Sequence, residues 1–361
     1  MRFHVLGVTY VPTAAKYSIC PQAQKVRLFC KFMTELGHTV FHYGVEGSDP
    51  VCTQNITLIE KKAHGITDET INSYWAKENE LANLEFNQNA VKEINKRKQE
   101  GDFLICSYNV RQKSVVDAVG LIGVEYSIGY TGSFAPYRVF ISYAWMHYVY
   151  GHEGRGETPP FGDAVIPNFY DPDDFIYSDK KEDYFLFMGR PIRSKGAEIA
   201  IKCVEKIRAK LKIAGSPGAS SQYVEYLGVV GPQERAKLMS SAKAVFVPSC
   251  FVEPLGSVAI EAMLCGTPVI ATDFGGLTEA VVHGKTGFRC RSFEQFVWAA
   301  KNIGALKPQD CREYAQNNYS IKRVSQMYVE YFKMLQSFNI GGGWYQDNEK
   351  RIELNWLNKI Y

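Results

Sequence analysis

Nothing in these 361 residues pairs cysteines in a C-x-x-C pattern, although there are nine of them, an odd number. That absence removes zinc ribbons and thioredoxin-like redox motifs, and it speaks against a disulfide framework. Thiols within apolar stretches, such as Cys106, read as reduced and buried, and the expected location is cytoplasmic. Apolar runs are short, and none approaches the ~18 residues that span a bilayer. The opening MRFHVLGVTYV reads as a first buried strand and not as the apolar core of a secretory leader. Charge of one sign is scarce too. The formal net charge is +3, from 41 basic and 38 acidic residues, a field too weak to mark a nucleic-acid binder. What is present (46% hydrophobic, 22% charged) suits a globular chain with sizeable cores, and the length suits two domains.

Strand-like and helix-like segments alternate through both halves. In the first half, residues 3–8, 39–43, 103–106 and 124–130 read as strands, and 23–36, 78–100 and 115–121 as helices. Val26, Phe29, Cys30, Met33 and Leu36 keep helical spacing before Gly37 stops the helix. In the second half, 184–188, 211–214, 244–247 and 268–271 read as strands, and 197–210, 233–241, 255–264, 293–303 and 321–336 as helices. This rhythm predicts an α/β chain with parallel sheets covered by helices. Gly, Pro and Asp dominate residues 151–183, which places the interdomain connection there.

Ligands of open α/β sheets sit at the carboxyl ends of the strands, so the segments that follow each strand carry the functional reading. After 184–188 come Gly189, a tight-turn residue, and the cations Arg190 and Lys195, a set suited to a diphosphate. After 244–247, Pro254 fits the first turn of a helix, with open N–H groups around Gly256 and Ser257 and with Glu253 just before it. Glu261 lies about two turns further on at ~3.6 residues per turn, so one carboxylate could reach a sugar while the other reaches ribose hydroxyls. Glu261 stands among Ile260, Ala262 and Met263, where a carboxylate asks for a partner. After 268–271, the Gly275-Gly276 pair permits close backbone approach to a ligand. Asp171-Pro172-Asp173 has the look of a metal motif but reads as a turn.

At this point the second half resembles the retaining glycosyltransferases of family four, the group 1 glycosyltransferases, which have the GT-B architecture. The matching text is GR-x4-KG at 189–196, LG-x2-G at 227–231, the run from Pro248 to Glu279 with seven residues between Glu253 and Glu261, IPN at 166–168 and HGKTGF at 283–288. The resemblance implies a GT-B fold: two Rossmann-like domains with a cleft between them and a C-terminal helix crossing back to the first domain. The expected division is 1–165 plus 344–361 on the acceptor side and 166–343 on the donor side. It implies transfer from a nucleoside-diphosphate sugar, UDP first and GDP or ADP open, with retention and without a metal or other cofactor. Glu253, Arg190 and Lys195 would be catalytic. Gly189, Gly228, Val230, Leu255, Gly256, Ser257 and Glu261 would bind the donor: backbone N–H groups at 255–257 the distal phosphate, Glu261 the ribose and the 228–230 segment the base.

The first half departs from the pattern. Relatives carry a Gly-Gly pair after the first strand, whereas residues 9–22 contain no glycine. A histidine often follows the strand that here runs into Gly129-Tyr130-Thr131, and none is present. Tyr10, Tyr17, Tyr130 and Thr131 are therefore positional choices for the acceptor side. His147 and His152 read as packing among aromatics. The expected acceptor is a glycan or lipid-linked glycan, with peripheral contact at the inner membrane face as an option. A modified nucleic-acid base and a catalytically idle GT-B binding module are the alternatives. An epimerase or a phosphorylase would fit the same architecture.

Overall fold

The structure, a computed structural model, describes residues 1–17, 20–72, 79–190, 192–215, 221–340, 343 and 345. The chain forms two units: Met1–Phe140, Arg155–Ile166 and Ser325–Tyr361 in the first, Ile141–Gly154 and Pro167–Val324 in the second. Among the described residues no helix is long and apolar enough to cross a membrane.

The first unit holds seven parallel strands: β1 (Arg2–Leu6), β2 (Thr39–Val45), β3 (Gln54–Ile59), β4 (Phe103–Cys106), β5 (Ile122–Ile128), β6 (Tyr137–Phe140) and β7 (Ala164–Val165), in the order β3-β2-β1-β4-β5-β6-β7. Every residue of β4 is buried, as a central parallel strand requires. Phe3 and Phe103 stack at 5.5 Å, and Phe29 and Phe332 meet Phe3 edge-on at 6.0 and 4.8 Å. Phe29 comes from the helix Pro21–Glu35, whose buried residues include Val26, Cys30 and Met33, the face its spacing predicts.

The second unit holds β8 (Phe185–Met188), β9 (Leu211–Ala214), β10 (Val224–Gly228), β11 (Val245–Val247), β12 (Val269–Thr272) and β13 (Gly287–Cys290), all parallel, in the order β10-β9-β8-β11-β12-β13. The helix Ser257–Leu264 covers this sheet with Ala259, Ile260, Ala262, Met263 and Leu264 buried.

Two segments lie on the other side of the expected division. The helix Tyr143–His152, expected with the first domain, belongs to the second unit because Glu279 holds its start. The Glu279 carboxylate accepts from the N–H groups of Tyr143 at 3.0 Å and Ala144 at 2.8 Å. Ser142 Oγ accepts from Trp145 N at 3.0 Å and donates to the carbonyl of Pro254. A carboxylate at a helix N-terminus satisfies orphan donors and opposes the dipole. Glu279→Ala is expected to cost about 1–2 kcal/mol of stability, read from the denaturation midpoint of the second unit. A change below ~0.3 kcal/mol would show that Ser142 alone suffices.

The return to the first unit also begins earlier than residue 344, within the helix Ile321–Asn339 and from Ser325 onward. Tyr328 and Phe332 join the Phe29 cluster, and Tyr331 Oη donates to Gly162 O at 2.7 Å. Trp344 and residues 346–361 of the expected tail lie outside the described residues.

Candidate functional site at the carboxyl edge of the second sheet

Six parallel strands place all their carboxyl ends on one edge. β8 comes first in this sheet; β9 and β10 extend it on one side, and β11, β12 and β13 on the other. The connections that leave β8 and β11 therefore depart in opposite directions, and a crevice opens between them.

Both loops at this crevice are held by backbone geometry. Gly196 takes φ +72°, and a Cβ there would lie 2.0 Å from Pro248 O, so the two loops touch main chain to main chain. Cys250 N donates to Ser194 O at 2.7 Å across the same seam. Gly189 (φ +152°) turns the chain out of β8 with open space where its Cβ would be. Arg190 follows it, exposed.

Lys195 and Glu253, expected to face a ligand together, face each other. Lys195 Nζ lies 3.1 Å from Glu253 Oε1 and 3.0 Å from Oε2, and 4.8 Å above the ring of Phe251. Ser249 Oγ donates to Glu253 Oε2 at 2.8 Å. Glu253 stands on the loop that precedes the helix, as the sequence leads one to expect. The helix starts at Ser257, later than the expected 255, and Pro254 precedes it instead of occupying its first turn. The reason is Gly256, which takes φ +86°, a left-handed conformation that turns the chain just before the helix. Among the described residues no side chain caps this helix, so its first-turn N–H groups have no side-chain partner, while Ala259 N donates to Gly256 O at 2.9 Å. Leu255 is buried beneath them.

The Gly275-Gly276 pair permits a close approach of backbone to backbone. A Cβ on Gly276 would meet Pro254 O at 2.4 Å, one on Gly275 would meet Glu253 N at 2.8 Å, and Gly276 N donates to Glu253 O at 2.7 Å. These glycines fix the backbone that carries Glu253.

Glu261 projects from the second turn of the helix with its side chain 13% exposed. Its Oε2 is buried without a hydrogen bond among the described residues, and Arg235 Nη1 stands 3.6 Å away, an ion-pair distance. Burial pushes the Glu261 carboxyl up from its ordinary range, and Arg235 pulls it back. A buried carboxylate oxygen without a donor lacks the hydrogen bond that burial ordinarily demands. Arg235 belongs to the helix Pro232–Ser241, which follows β10. Gly228 ends β10 (φ +69°, its carbonyl accepting from Gly215 N at 2.8 Å), and exposed Val229 and half-buried Val230 follow it. Asp171 Oδ1 accepts from Asp173 N at 3.2 Å, so the Asp-Pro-Asp segment is a turn.

In the first unit the four acceptor-side positions have varied surroundings. Tyr17 is 3% exposed, and its hydroxyl donates to Asp68 at 2.8 Å. Tyr10 packs on Tyr108 at 5.5 Å, with its hydroxyl 3.4 Å from Cys20 Sγ. Tyr130 Oη donates to Glu125 Oε1 at 2.8 Å, and Thr131 is exposed. Only Thr131 of the four stands clear of this packing. Glu125, the partner of Tyr130, is fully buried and also accepts from Phe134 N at 2.7 Å and Ala135 N at 3.3 Å, which fixes the turn after β5. Where the glycine pair is missing, a polar net holds Thr13, whose N–H donates to Ser48 Oγ at 2.9 Å. His42 Nε2 lies 3.0 Å from Thr13 Oγ1, its Nδ1 2.7 Å from Asn55 Oδ1, and burial pulls the imidazole down to about 4. The sequence reading passed over Ser249, Arg235 and Glu125. A Glu in the apolar run of β5 was the one available signal among them.

Residues 173–320 match the family Glycosyl transferases group 1. Over 156 residues the chain is 36% identical to an uncharacterized glycosyltransferase of Methanocaldococcus jannaschii, covering 38% of this chain and 39% of the relative. The match thus spans less than half the length of that curated relative. Among solved structures, AviGT4, a glycosyltransferase involved in avilamycin A biosynthesis, superposes with a TM-score of 0.67 at 22% identity, covering 93% of this chain and 98% of that one. HepE of Anabaena, in complex with UDP-glucose, superposes at 0.64 and 16% identity, covering 92% and 100%. At these identities the structures speak for the fold. The chain has the GT-B fold, and the stretch of it that resembles the group 1 glycosyltransferases lies within the second unit.

Proposed function

We propose that this chain transfers a sugar from a nucleoside-diphosphate sugar, UDP-linked in the first instance, to a glycan or lipid-linked glycan acceptor, with retention and without a metal. The observation that carries the reading is one edge of one sheet. It holds two cations, Arg190 and Lys195, an uncapped helix N-terminus, a carboxylate at Glu253 and a second carboxylate, Glu261, with an unsatisfied buried oxygen. Cations and open N–H groups oppose the charge that grows on a departing diphosphate. In this reading they supply the positive charge that a metal supplies elsewhere. Glu253 binds hydroxyls of the transferred sugar, and Glu261 accepts from the ribose. HepE, crystallised with UDP-glucose, supports UDP as the first nucleotide to try.

Calorimetric titration of UDP, GDP and ADP against wild type and Glu261→Ala tests it. One nucleotide is expected to bind preferentially, and the substitution to weaken it about tenfold or more, the value of a hydrogen bond to a charged group. Because burial raises the Glu261 carboxyl, its ionised form gains as pH rises, so this nucleotide should bind more tightly at pH 7.5 than at pH 5. In Glu261→Gln that part of the pH dependence should vanish. Absence of binding by all three nucleotides would overturn the reading and leave an idle binding module.

A further inference from the structure

We propose that Ser249 is a positioning residue: its hydroxyl keeps the Glu253 carboxylate aimed at the donor sugar when the donor diphosphate draws Lys195 away. The inference rests on the transfer reading above. Among the described residues, two side chains hydrogen-bond this carboxylate, Lys195 at 3.1 and 3.0 Å and Ser249 at 2.8 Å. A ligand acts on them differently. Lys195 is 27% exposed at its side chain, and its ammonium rides on a flexible four-carbon stem, so an arriving diphosphate competes with Glu253 for it. Ser249 is 1% exposed at the end of β11. It has a single hydroxyl proton, already committed to Glu253, on a side chain too short to follow a ligand.

The backbone on either side makes this hydroxyl matter more. Gly276 N pins the Glu253 carbonyl at 2.7 Å, Gly275 packs against its N–H, and Cys250 N ties the Ser249 loop to Ser194. With the main chain fixed, the freedom left to Glu253 is in its side-chain torsions. In the empty crevice Lys195 and Ser249 both restrain them. Once Lys195 turns to phosphate, Ser249 remains as the restraint, and it also supplies the donor that a partly buried carboxylate needs. The opposed charges of Lys195 and Glu253 thus serve the empty site, and the neutral hydroxyl serves the loaded one.

Ser249→Ala and Ser249→Thr, in the full chain, separate this role from simple damage. UDP lacks the transferred sugar that Glu253 is read to bind, so its calorimetric affinity should stay within about twofold of wild type in both variants. UDP-glucose should lose its advantage over UDP in Ser249→Ala, and turnover should fall by at least about tenfold in kcat. Ser249→Thr, which keeps a hydroxyl, should recover most of both. Equal weakening of UDP and UDP-glucose, or wild-type kcat in Ser249→Ala, would overturn the inference while leaving the transfer reading intact. If wild type binds neither ligand, the transfer reading itself falls, and this inference with it.

Discussion

Glu253→Gln should lower kcat by about a hundredfold or more while UDP affinity holds or improves. The size follows from losing a charged contact at the reacting sugar, which in water-excluded sites is worth ~10²–10³ in rate. The sign of the UDP effect follows from the ion pair. In wild type a diphosphate must win Lys195 from Glu253, whose oxygens lie 3.0 and 3.1 Å from the ammonium. A neutral amide releases that cation, so the nucleotide gains a freer partner. Lys195→Ala should do the opposite and weaken UDP and the intact donor together. Steady-state turnover of the sugar nucleotide, with calorimetry of UDP, reads both. Tenfold weaker UDP binding in Glu253→Gln would show that this carboxylate serves the nucleotide and not the sugar.

Gly196→Ala should destabilise the second unit by about 3 kcal/mol or more. Two costs add. The residue sits at φ +72°, where an L side chain is strained by ~1–2 kcal/mol, and its Cβ would fall 2.0 Å from Pro248 O and 2.9 Å from Pro248 C. Neither neighbour is a flexible side-chain tip that could swing aside, so the loops after β8 and β11 must part. Gly284 supplies the control, with φ +77° and nothing within 4 Å of its Cβ. Gly284→Ala carries the strain alone, about 1 kcal/mol. The difference in thermal midpoint between the two variants measures the backbone contact. Equal midpoints would mean that the loops give way freely.

Much of this was legible where local pattern and burial agree. Apolar runs marked β4, β8, β9, β11 and β12 because central parallel strands are buried on both faces and read as unbroken hydrophobic text. Edge strands lack that signature. β10 has no fully buried residue, and β3 is exposed over its first two positions, so neither stood out. The helix Pro308–Tyr319 buries only Cys311, Ala315 and Tyr319 on an otherwise polar surface. At the site, residue types and their order around β8 and β11 were readable. What each glycine touches was not, since the closeness of Gly275 and Gly276 to residues 253–255 is a tertiary fact. The same holds for Ser249, whose importance depends on where Glu253 points. The first unit was less readable because buried polar groups hold its loops. Glu125 and His42 find their partners across strands and turns.

The chain passes from one unit to the other four times, after Phe140, Gly154, Ile166 and Val324. The family match, by contrast, begins at residue 173 and omits the helix that Glu279 holds. A recombination event that exchanged only the matched stretch between two such proteins would import a carboxylate shaped for a helix left behind in the recipient. Successful grafts of the second unit should therefore carry residues 141–154 with them, so that this short, aromatic, otherwise unremarked segment is inherited with residues 173–320 and not with its neighbours in the text.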